Sequence, residues 1–268
     1  MTVFIFGWGY AARVLATLAP CVGTRRVPVD APPLYAFDGI HPLSTAGEKV
    51  LAEAENVLVS IPPDAEGCPV FRLYGEKLAA KNNLKWLGYF SSTAVYGDAK
   101  GEWVDETTPP APQTEAGHQR LKAEEQWCSF NLPLHVFRLS GIYGPGRSAL
   151  ERARHGAPII EKPGHVMNRI HVADIAQAVA TSIECPRPGE IYNLADDTPA
   201  SSADVLREAY RVLGLSAPEP IPFEAAELSP MGRGFFESNK RIRNIKLKEK
   251  LGVKLKYPSF REGLQENS

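Results

Sequence analysis

The stretch that decides the fold is VFIFGWGYAARVLATLAP, residues 3–20. Its first four residues are apolar and predict a strand over 3–6. Apolar residues then recur at helical spacing over 11–19, and Pro20 ends the segment. A short glycine-containing turn joins the two. A strand, a glycine turn and a helix in this order form the first half of a βαβ unit, whose strands lie parallel.

The turn itself matches the pattern G-x-G-x-x-[GA]. Gly7 permits the tight turn, Gly9 lets the backbone approach a pyrophosphate, and Ala12 keeps the helix close to the sheet. Free N–H groups at the start of the helix favour the phosphates. We therefore expect a nicotinamide dinucleotide here, contacted by Gly7, Trp8, Gly9, Tyr10, Ala11 and Ala12.

The end of the second predicted strand indicates which dinucleotide is preferred. An NAD site usually presents an acidic residue about 20 residues past the turn, to accept from the ribose 2′-hydroxyl. Here the strand ends in Arg25 and Arg26, whose guanidinium groups can pair with the 2′-phosphate of NADP. We expect NADP(H). The alternative is NAD(H) held by Asp30, a few residues later.

Further cofactor contacts are expected where later strands end. Asp38 follows the third predicted strand. Ser60, Ile61 and Pro62 end the fourth strand, beside the expected nicotinamide. Ser91 ends the fifth. Because the carboxyl ends of parallel strands meet at one edge of a sheet, these residues should lie near the glycine turn.

The rest of the chain repeats the alternation of short apolar runs and helical segments. This order is typical of an α/β protein with a Rossmann-type, doubly wound parallel sheet. The predicted strands cover 3–6, 21–26, 34–37, 56–60, 86–91 and 134–139, and the predicted helices cover 11–19, 47–54, 70–80 and 115–130. A polar excursion over 98–113 is expected to be a surface loop above a cleft.

Beyond residue 147, prolines cut the chain into short pieces. We expect residues 1–147 to form the NADP-binding Rossmann domain, with 168–195 returning to it. The remainder of 148–268 is expected to form a small, interleaved C-terminal lobe on the substrate side.

Composition limits the partners. The 30 Lys and Arg residues nearly balance the 31 Asp and Glu residues, for a net charge of -1. We therefore expect the protein to bind a small-molecule substrate and not a nucleic acid or a membrane surface. The basic segment near 237–255 is interpreted as a solvated helix face. Four scattered cysteines give no metal-binding spacing and no disulfide framework. With neither a signal peptide nor a membrane span recognisable, we expect a cytoplasmic protein.

Several later motifs resemble those of one known family. They are SSTAVYGD at 91–98, RLSGIYGPGR at 138–147, RIHVADIA at 169–176 and YNL at 192–194. Together they are similar to extended short-chain dehydrogenases/reductases, the NAD(P)-dependent epimerase/dehydratase family. The resemblance implies an oxidoreductase or isomerase that acts on a nucleotide sugar, and a possible homodimer formed through the helices at about 70–80 and 115–130.

The resemblance also assigns catalytic positions. Ser92 matches the hydroxyl that binds the reacting sugar oxygen, with Thr93 as the fallback. The family's YxxxK tyrosine and lysine fall on Ala116 and Arg120. Arginine can hold the nicotinamide ribose, but alanine cannot transfer a proton.

A substitute proton donor must therefore come from elsewhere. The candidates are Tyr96, Tyr143, His118, His171 and Asp64. His171 is expected to pair with Asp174, which lies three residues later. Arg147, Asn168 and Arg169 are candidates to meet a substrate diphosphate. If no donor exists, the alternative is a catalytically silent NADP-binding sensor or scaffold.

Overall fold

The computed structural model describes residues 2–26 and 33–266, except the side chains of residues 230 and 231. Asp30, the alternative ribose ligand, lies outside the described residues. Within these residues, no helix is long and apolar enough to cross a membrane.

The described chain is built from short strands and helices. The strands are β1 Val3–Phe6, β2 Cys21–Arg25, β3 Leu34–Ala36, β4 Asn56–Val59, β5 Trp86–Ser92, β6 Trp103–Val104, β7 Leu134–Leu139, β8 Gly141–Tyr143, β9 Ile160–Glu161, β10 Arg169–His171, β11 Glu190–Leu194, β12 Ile221–Pro222 and β13 Arg241–Ile242. The helices are α1 Tyr10–Leu15, α2 Thr45–Glu53, α3 Pro69–Ala79, α4 Glu115–Cys128, α5 Ala149–Arg154, α6 Val172–Glu184, α7 Ser202–Val212, α8 Pro230–Gly234, α9 Ile245–Glu249 and α10 Phe260–Glu266. A 3₁₀ turn covers Thr93–Tyr96.

The central sheet has the order β11-β7-β5-β4-β1-β2-β3, and all neighbours are parallel. From β1 the chain moves outward through β2 to β3, then crosses back to β4 on the other side of β1. The strand order therefore reverses between β1 and β4. In open α/β sheets, ligands bind outside the carboxyl ends of the strands at such a switch point.

Alternating residues of β1 explain the two layers of helices. Val3 and Ile5 belong to the core that includes α1 and α6. Phe4 and Phe6 belong to the core on the other face, with residues of α2, α3 and α4. Because both faces are covered, the central strands are apolar throughout rather than alternating.

A third core lies in the C-terminal half. It joins α5, α7 and α10 around Leu206, Tyr210 and Phe260. The short pair of β9 and β12 lies beside it. The two-residue strand β6 pairs with β13 in a separate small sheet, so the last third of the chain reaches back to the loop after β5.

The fold class is confirmed, with two corrections. The prediction counted six strands in the sheet, but β11 adds a seventh, paired with β7 at Tyr192 and Phe137. The first helix was predicted to reach residue 19 but ends at Leu15. Thr17 tightens the chain there, because its N–H and its hydroxyl both donate to the Val14 carbonyl.

Candidate functional site

Gly7 forms the sharp turn at the end of β1. Its φ is +102°, a conformation that favours glycine. A Cβ at this position would lie 2.7 Å from Ser60 Oγ. The Gly7 N–H donates to Thr24 Oγ1 at 3.0 Å, and the Ser60 hydroxyl donates to the Gly7 carbonyl at 2.7 Å. A side chain of β2 and the side chain directly after β4 thus hold the turn, which gives Ser60 a structural role in the site.

Gly9 is the N-cap of α1 and leaves open space beside it. Its φ of -85° and ψ of -163° are ordinary extended values. A Cβ built at Gly9 would meet no atom within 4 Å, and the cap residue has no side chain to accept from the first-turn N–H groups. This is the space a pyrophosphate needs, with donors facing it. The residues present therefore fit a bound dinucleotide.

The cofactor contacts expected at the ends of β2 and β3 differ in whether their side chains already have hydrogen-bond partners. Arg25 and Arg26 are both exposed at the carboxyl end of β2, next to the turn. Asp38 is engaged within its own loop: one carboxylate oxygen accepts from the N–H groups of Ile40 and His41, and the other lies 2.7 Å from His41 Nδ1. These hydrogen bonds hold the pKa of Asp38 well below its usual range. The guanidinium groups of the two arginines are thus exposed and able to contact a cofactor at this edge of the sheet.

Tyr10 connects the glycine turn to the YGPG segment. Its hydroxyl donates to the Pro145 carbonyl at 2.9 Å, and the Arg147 guanidinium lies 6.0 Å from the ring centroid. A Cβ on Gly144 would lie 2.7 Å from the Tyr10 hydroxyl. The two motifs, separated by more than 130 residues in the chain, therefore meet at the switch point.

Ser92 lies where β5 ends, half-buried, at the N-cap of the 3₁₀ turn. Its oxygen accepts from the Ala94 N–H at 3.1 Å, which uses a lone pair and not the hydroxyl proton. Thr93 is buried, and its hydroxyl makes a long contact of 3.4 Å with the Leu139 carbonyl. Ser92 is the better placed of the two to donate to a substrate oxygen.

Ser91 faces the other way, into a buried polar network. Its hydroxyl donates to Glu124 on α4, and Glu124 forms an ion pair with Arg138 of β7 at 2.7 Å. The Arg138 guanidinium lies 4.8 Å from the centroid of the Tyr96 ring. The Tyr96 hydroxyl donates to Asn193 Oδ1 at 2.8 Å. The network joins the end of β5 to α4, β7 and β11, and it occupies the side chain of Ser91, which was predicted to bind the cofactor.

The remaining tyrosine and aspartate candidates are also engaged. The buried Tyr143 hydroxyl donates to the Ser259 carbonyl at 3.1 Å, and burial raises its pKa. Burial raises the pKa of Tyr96 as well. Asp64 accepts two hydrogen bonds from Arg72, which lower its pKa. Asp64 is therefore a poor proton donor near neutral pH.

The expected pairing of His171 with Asp174 is wrong. His171 is the N-cap of α6, where its Nδ1 accepts from the Ala173 N–H at 3.2 Å. Asp174 lies inside the helix and accepts from the backbone N–H groups of Lys256 and Tyr257. The two side chains therefore have different partners, and the spacing of three residues does not pair them.

The positions that match the YxxxK motif lie on α4. Ala116 is exposed near the start of the helix. Arg120 is half-buried and donates to the Phe90 carbonyl at 2.5 Å, so it is anchored to β5. His118 is exposed. None of these three supplies an acid at the place where a tyrosine is expected.

Comparisons with known proteins agree with this geometry. The sequence profile of the NAD dependent epimerase/dehydratase family matches residues 77–195. Protein YeeZ of Escherichia coli (strain K12) is 31% identical over 218 residues, which are 78% of this chain and 73% of that protein. The chain belongs to the epimerase/dehydratase family. As a member, it is expected to use a nicotinamide cofactor, and this agrees with the open space at Gly9.

Two solved structures extend the comparison of this epimerase/dehydratase family member. A functionally unknown conserved protein from Silicibacter pomeroyi is 44% identical, with a TM-score of 0.90 over 99% of this chain and 97% of that one. The dTDP-glucose 4,6-dehydratase of Bacillus anthracis, in complex with NAD, is 18% identical, with a TM-score of 0.76 over 100% and 95%. The second likeness shows the fold alone.

Sequence reasoning missed several residues that shape the site. Lys240 is buried, and its Nζ donates to the Gly97 carbonyl at 2.8 Å. Burial lowers its pKa to about 8. Glu124 and Asn193 belong to the network described above. Glu124 matches the glutamate that follows the family's YxxxK motif by four residues, but the motif did not indicate its partners. Its place beside Trp127 on α4 is a second signal, since a carboxylate on an apolar face needs a partner.

Proposed function

We propose that this protein binds NADP(H) at its glycine turn and acts as an oxidoreductase of the epimerase/dehydratase type on a nucleotide-sugar-like substrate. The observation that carries the proposal is the open space beside Gly9, lined by the first-turn N–H groups of α1 at the switch point of the sheet. The substrate class rests on family membership.

The preference for NADP(H) is supported by Arg25 and Arg26. Hydrogen bonds to charged groups contribute about 1.5–3 kcal/mol each, so one good contact to the 2′-phosphate gives roughly a tenfold preference over NADH. Fluorescence titration with NADPH and NADH measures it. Arg25→Ala with Arg26→Ala should abolish the preference, while Arg154→Ala, an exposed arginine on α5, should leave it unchanged. Equal affinities of the unchanged protein for both cofactors would remove the arginine argument.

A nicotinamide cofactor held at the glycine turn would supply hydride transfer to or from a substrate carbon. The residues of this chain then have three tasks. Ser92 donates a hydrogen bond to the substrate oxygen, Arg120 positions the end of β5 through the Phe90 carbonyl, and Tyr10 holds the YGPG segment over the turn. The family's tyrosine is replaced by Ala116, so general acid catalysis, typically worth about 10²–10⁴ in rate, is lost from that position.

We expect turnover of dTDP-glucose or UDP-glucose to be slow and to depend on Ser92. Oxidation or reduction of the bound cofactor in a single-turnover experiment measures it, with Thr107→Ala as a control at an exposed hydroxyl in the loop before α4. Loss of turnover in Ser92→Ala but not in the control supports an enzyme. Fast turnover that survives Ser92→Ala would place the active site elsewhere.

One observation favours a second function, a catalytically silent NADP-binding sensor or scaffold. Tyr96, Tyr143 and Asp64 are each engaged by a partner, so none of them is a free acid. This function predicts tight NADPH binding with no cofactor oxidation by sugar nucleotides or simple carbonyls. The same single-turnover experiment therefore separates the two functions.

A further inference from the structure

Lys240 is a buried cation that directly precedes β13. The residue is 7% exposed, and its ammonium donates to the Gly97 carbonyl at 2.8 Å and to the Ser238 hydroxyl. The Ser238 hydroxyl in turn donates to the same Gly97 carbonyl at 3.2 Å. One backbone carbonyl therefore accepts from two side chains of the segment 238–240. The bond from the ammonium is the stronger of the two, because one of its partners is charged.

Gly97 ends the 3₁₀ turn that Ser92 begins. The Gly97 N–H donates to the Ala94 carbonyl at 3.1 Å, and the Ala94 N–H donates to Ser92 Oγ at 3.1 Å. Gly97 has a φ of +65°, and a Cβ there would overlap the Ala111 carbonyl oxygen. Three hydrogen bonds in succession thus connect the Lys240 ammonium to the Ser92 oxygen, across a turn that has little room to shift.

The backbone around Lys240 is itself fixed to the fold. The side chain of Asn168, which directly precedes β10, holds it from both sides. Its Nδ2 donates to the Lys240 carbonyl at 2.8 Å, and its Oδ1 accepts from the Ile242 N–H at 2.8 Å. The pairing of β13 with β6 holds the chain that follows. Asn168, which the sequence offered as a diphosphate contact, therefore serves to fix the segment that carries Lys240.

Burial and the facing carboxylate of Asp98 set the ionisation of Lys240. Burial has the larger effect and lowers the pKa of Lys240 to about 8, while the charge of Asp98 acts in the opposite direction. The Asp98 carboxylate already accepts two backbone N–H hydrogen bonds. His165, on the loop before β10, also faces Lys240 and is neutral at pH 7, because burial lowers its pKa. Above about pH 8 the Lys240 amine is therefore neutral, and its hydrogen bond to Gly97 is no longer charge-assisted.

We propose that Lys240 is a positioning residue for Ser92: its ammonium fixes the Gly97 carbonyl and, through the 3₁₀ turn, the place from which the Ser92 hydroxyl meets the substrate oxygen. A displacement of about 1 Å at a reacting group can lower a rate by about 10²-fold. The effect of Lys240 on turnover rests on the proposed oxidoreductase function. Its effect on the turn does not, since the hydrogen bonds are made without substrate or cofactor.

Single-turnover rates with NADPH, measured between about pH 6 and 10, test the proposal. In the unchanged protein the rate should fall by about tenfold as the pH rises through about 8, because the charged hydrogen bond becomes a neutral one. Lys240→Met should lose up to about 10²-fold and show no such step. Lys240→Arg, which stays charged at every pH tested, should retain the rate and abolish the fall. Lys250→Met, at an exposed lysine directly after α9, is the matched control and should behave like the unchanged protein.

Amide hydrogen exchange over residues 93–97 measures the turn without any reaction. Protection there should be about tenfold lower in Lys240→Met than in Lys250→Met at the same pH. It should also fall in the unchanged protein above about pH 8. If Lys240→Met does not fold, this pH dependence and its loss in Lys240→Arg decide.

The two measurements separate a positioning role from a structural one. Unchanged protection over residues 93–97 in Lys240→Met would overturn the proposal, and so would a fall in rate above about pH 8 that Lys240→Arg retains. Lost protection with an unchanged rate would make Lys240 structural only. An unchanged protein with no turnover would contradict the oxidoreductase function, and hydrogen exchange alone would then decide whether Lys240 holds the turn.

Discussion

Glu124→Gln tests the buried network at the end of β5. The Glu124 side chain is 5% exposed and that of Arg138 is 3% exposed. Two hydrogen bonds join them, Nη2 to Oε2 at 2.7 Å and Nε to Oε1 at 3.1 Å, and the Ser91 hydroxyl donates to the same carboxylate. Glutamine keeps the volume and one acceptor oxygen. Its amide N–H₂ replaces Oε2 and faces the Arg138 donor.

The expected cost follows from the charge that remains. Arg138 stays ionised and is left buried without a carboxylate. Removing one partner of a buried ion pair costs about 3–5 kcal/mol, and for a chain of this length that corresponds to a fall in Tm of about 10 °C. The cation–π contact between the Arg138 guanidinium and the Tyr96 ring offsets little of this cost. Such a contact contributes about 0.5–2 kcal/mol, and it is already present in the unchanged protein.

Thermal and urea unfolding, followed by circular dichroism, measure the change. Glu125→Gln, the next residue on the same helix but exposed, is the matched control and should change the free energy of unfolding by no more than about 0.5 kcal/mol. Replacing both partners, Glu124→Leu with Arg138→Met, should recover part of the loss. A Glu124→Gln variant as stable as its control would refute the account of this network.

Two further predictions concern buried groups. Burial raises the pKa of Asp196 from 3.8 to about 8, so the folded state holds a proton that the unfolded chain has released, and stability falls as the pH rises towards 8. Asp196→Asn removes this pH dependence. Measured by urea unfolding, the free energy of unfolding of the variant relative to that of the unchanged protein should rise by about 3 kcal/mol between about pH 5.5 and 8.5. A difference between the two proteins that does not change with pH would contradict this prediction. Tyr96→Phe removes the hydrogen bond to Asn193 and should lower the free energy of unfolding by about 1–3 kcal/mol, with turnover unchanged. Turnover lost at unchanged stability would instead make Tyr96 the proton donor.

The fold and the cofactor turn were predictable because both are local. Strand, turn and helix follow one another within residues 3–20, and the φ of +102° at Gly7 favours glycine at that position. The order of the apolar runs then indicated the parallel sheet. The position of β11 beside β7 was harder to predict, because the sequence of a five-residue strand does not indicate which strand it pairs with.

The side-chain partners were less predictable because they are distant in sequence. Asp174 accepts from residues more than 80 positions later, and Tyr96 reaches Asn193 across a similar distance. From sequence, Ser91 was a candidate cofactor contact and Tyr96 and Tyr143 candidate acids, since motif residues in this family line a cleft. The structure shows which of their polar atoms are already bonded, and those bonds depend on packing rather than on spacing.

NADPH titration of Gly9→Val tests the central claim most directly. The backbone of Gly9 is extended and its Cβ position is empty within 4 Å, so valine should leave the fold intact and occupy only the space assigned to the pyrophosphate. Gly7→Ala is the contrasting variant, because a φ of +102° and Ser60 Oγ at 2.7 Å should make it destabilising. The account predicts that Gly9→Val melts like the unchanged protein and gains no stability from NADPH. A Gly9→Val variant that binds NADPH as tightly as the unchanged protein would contradict it.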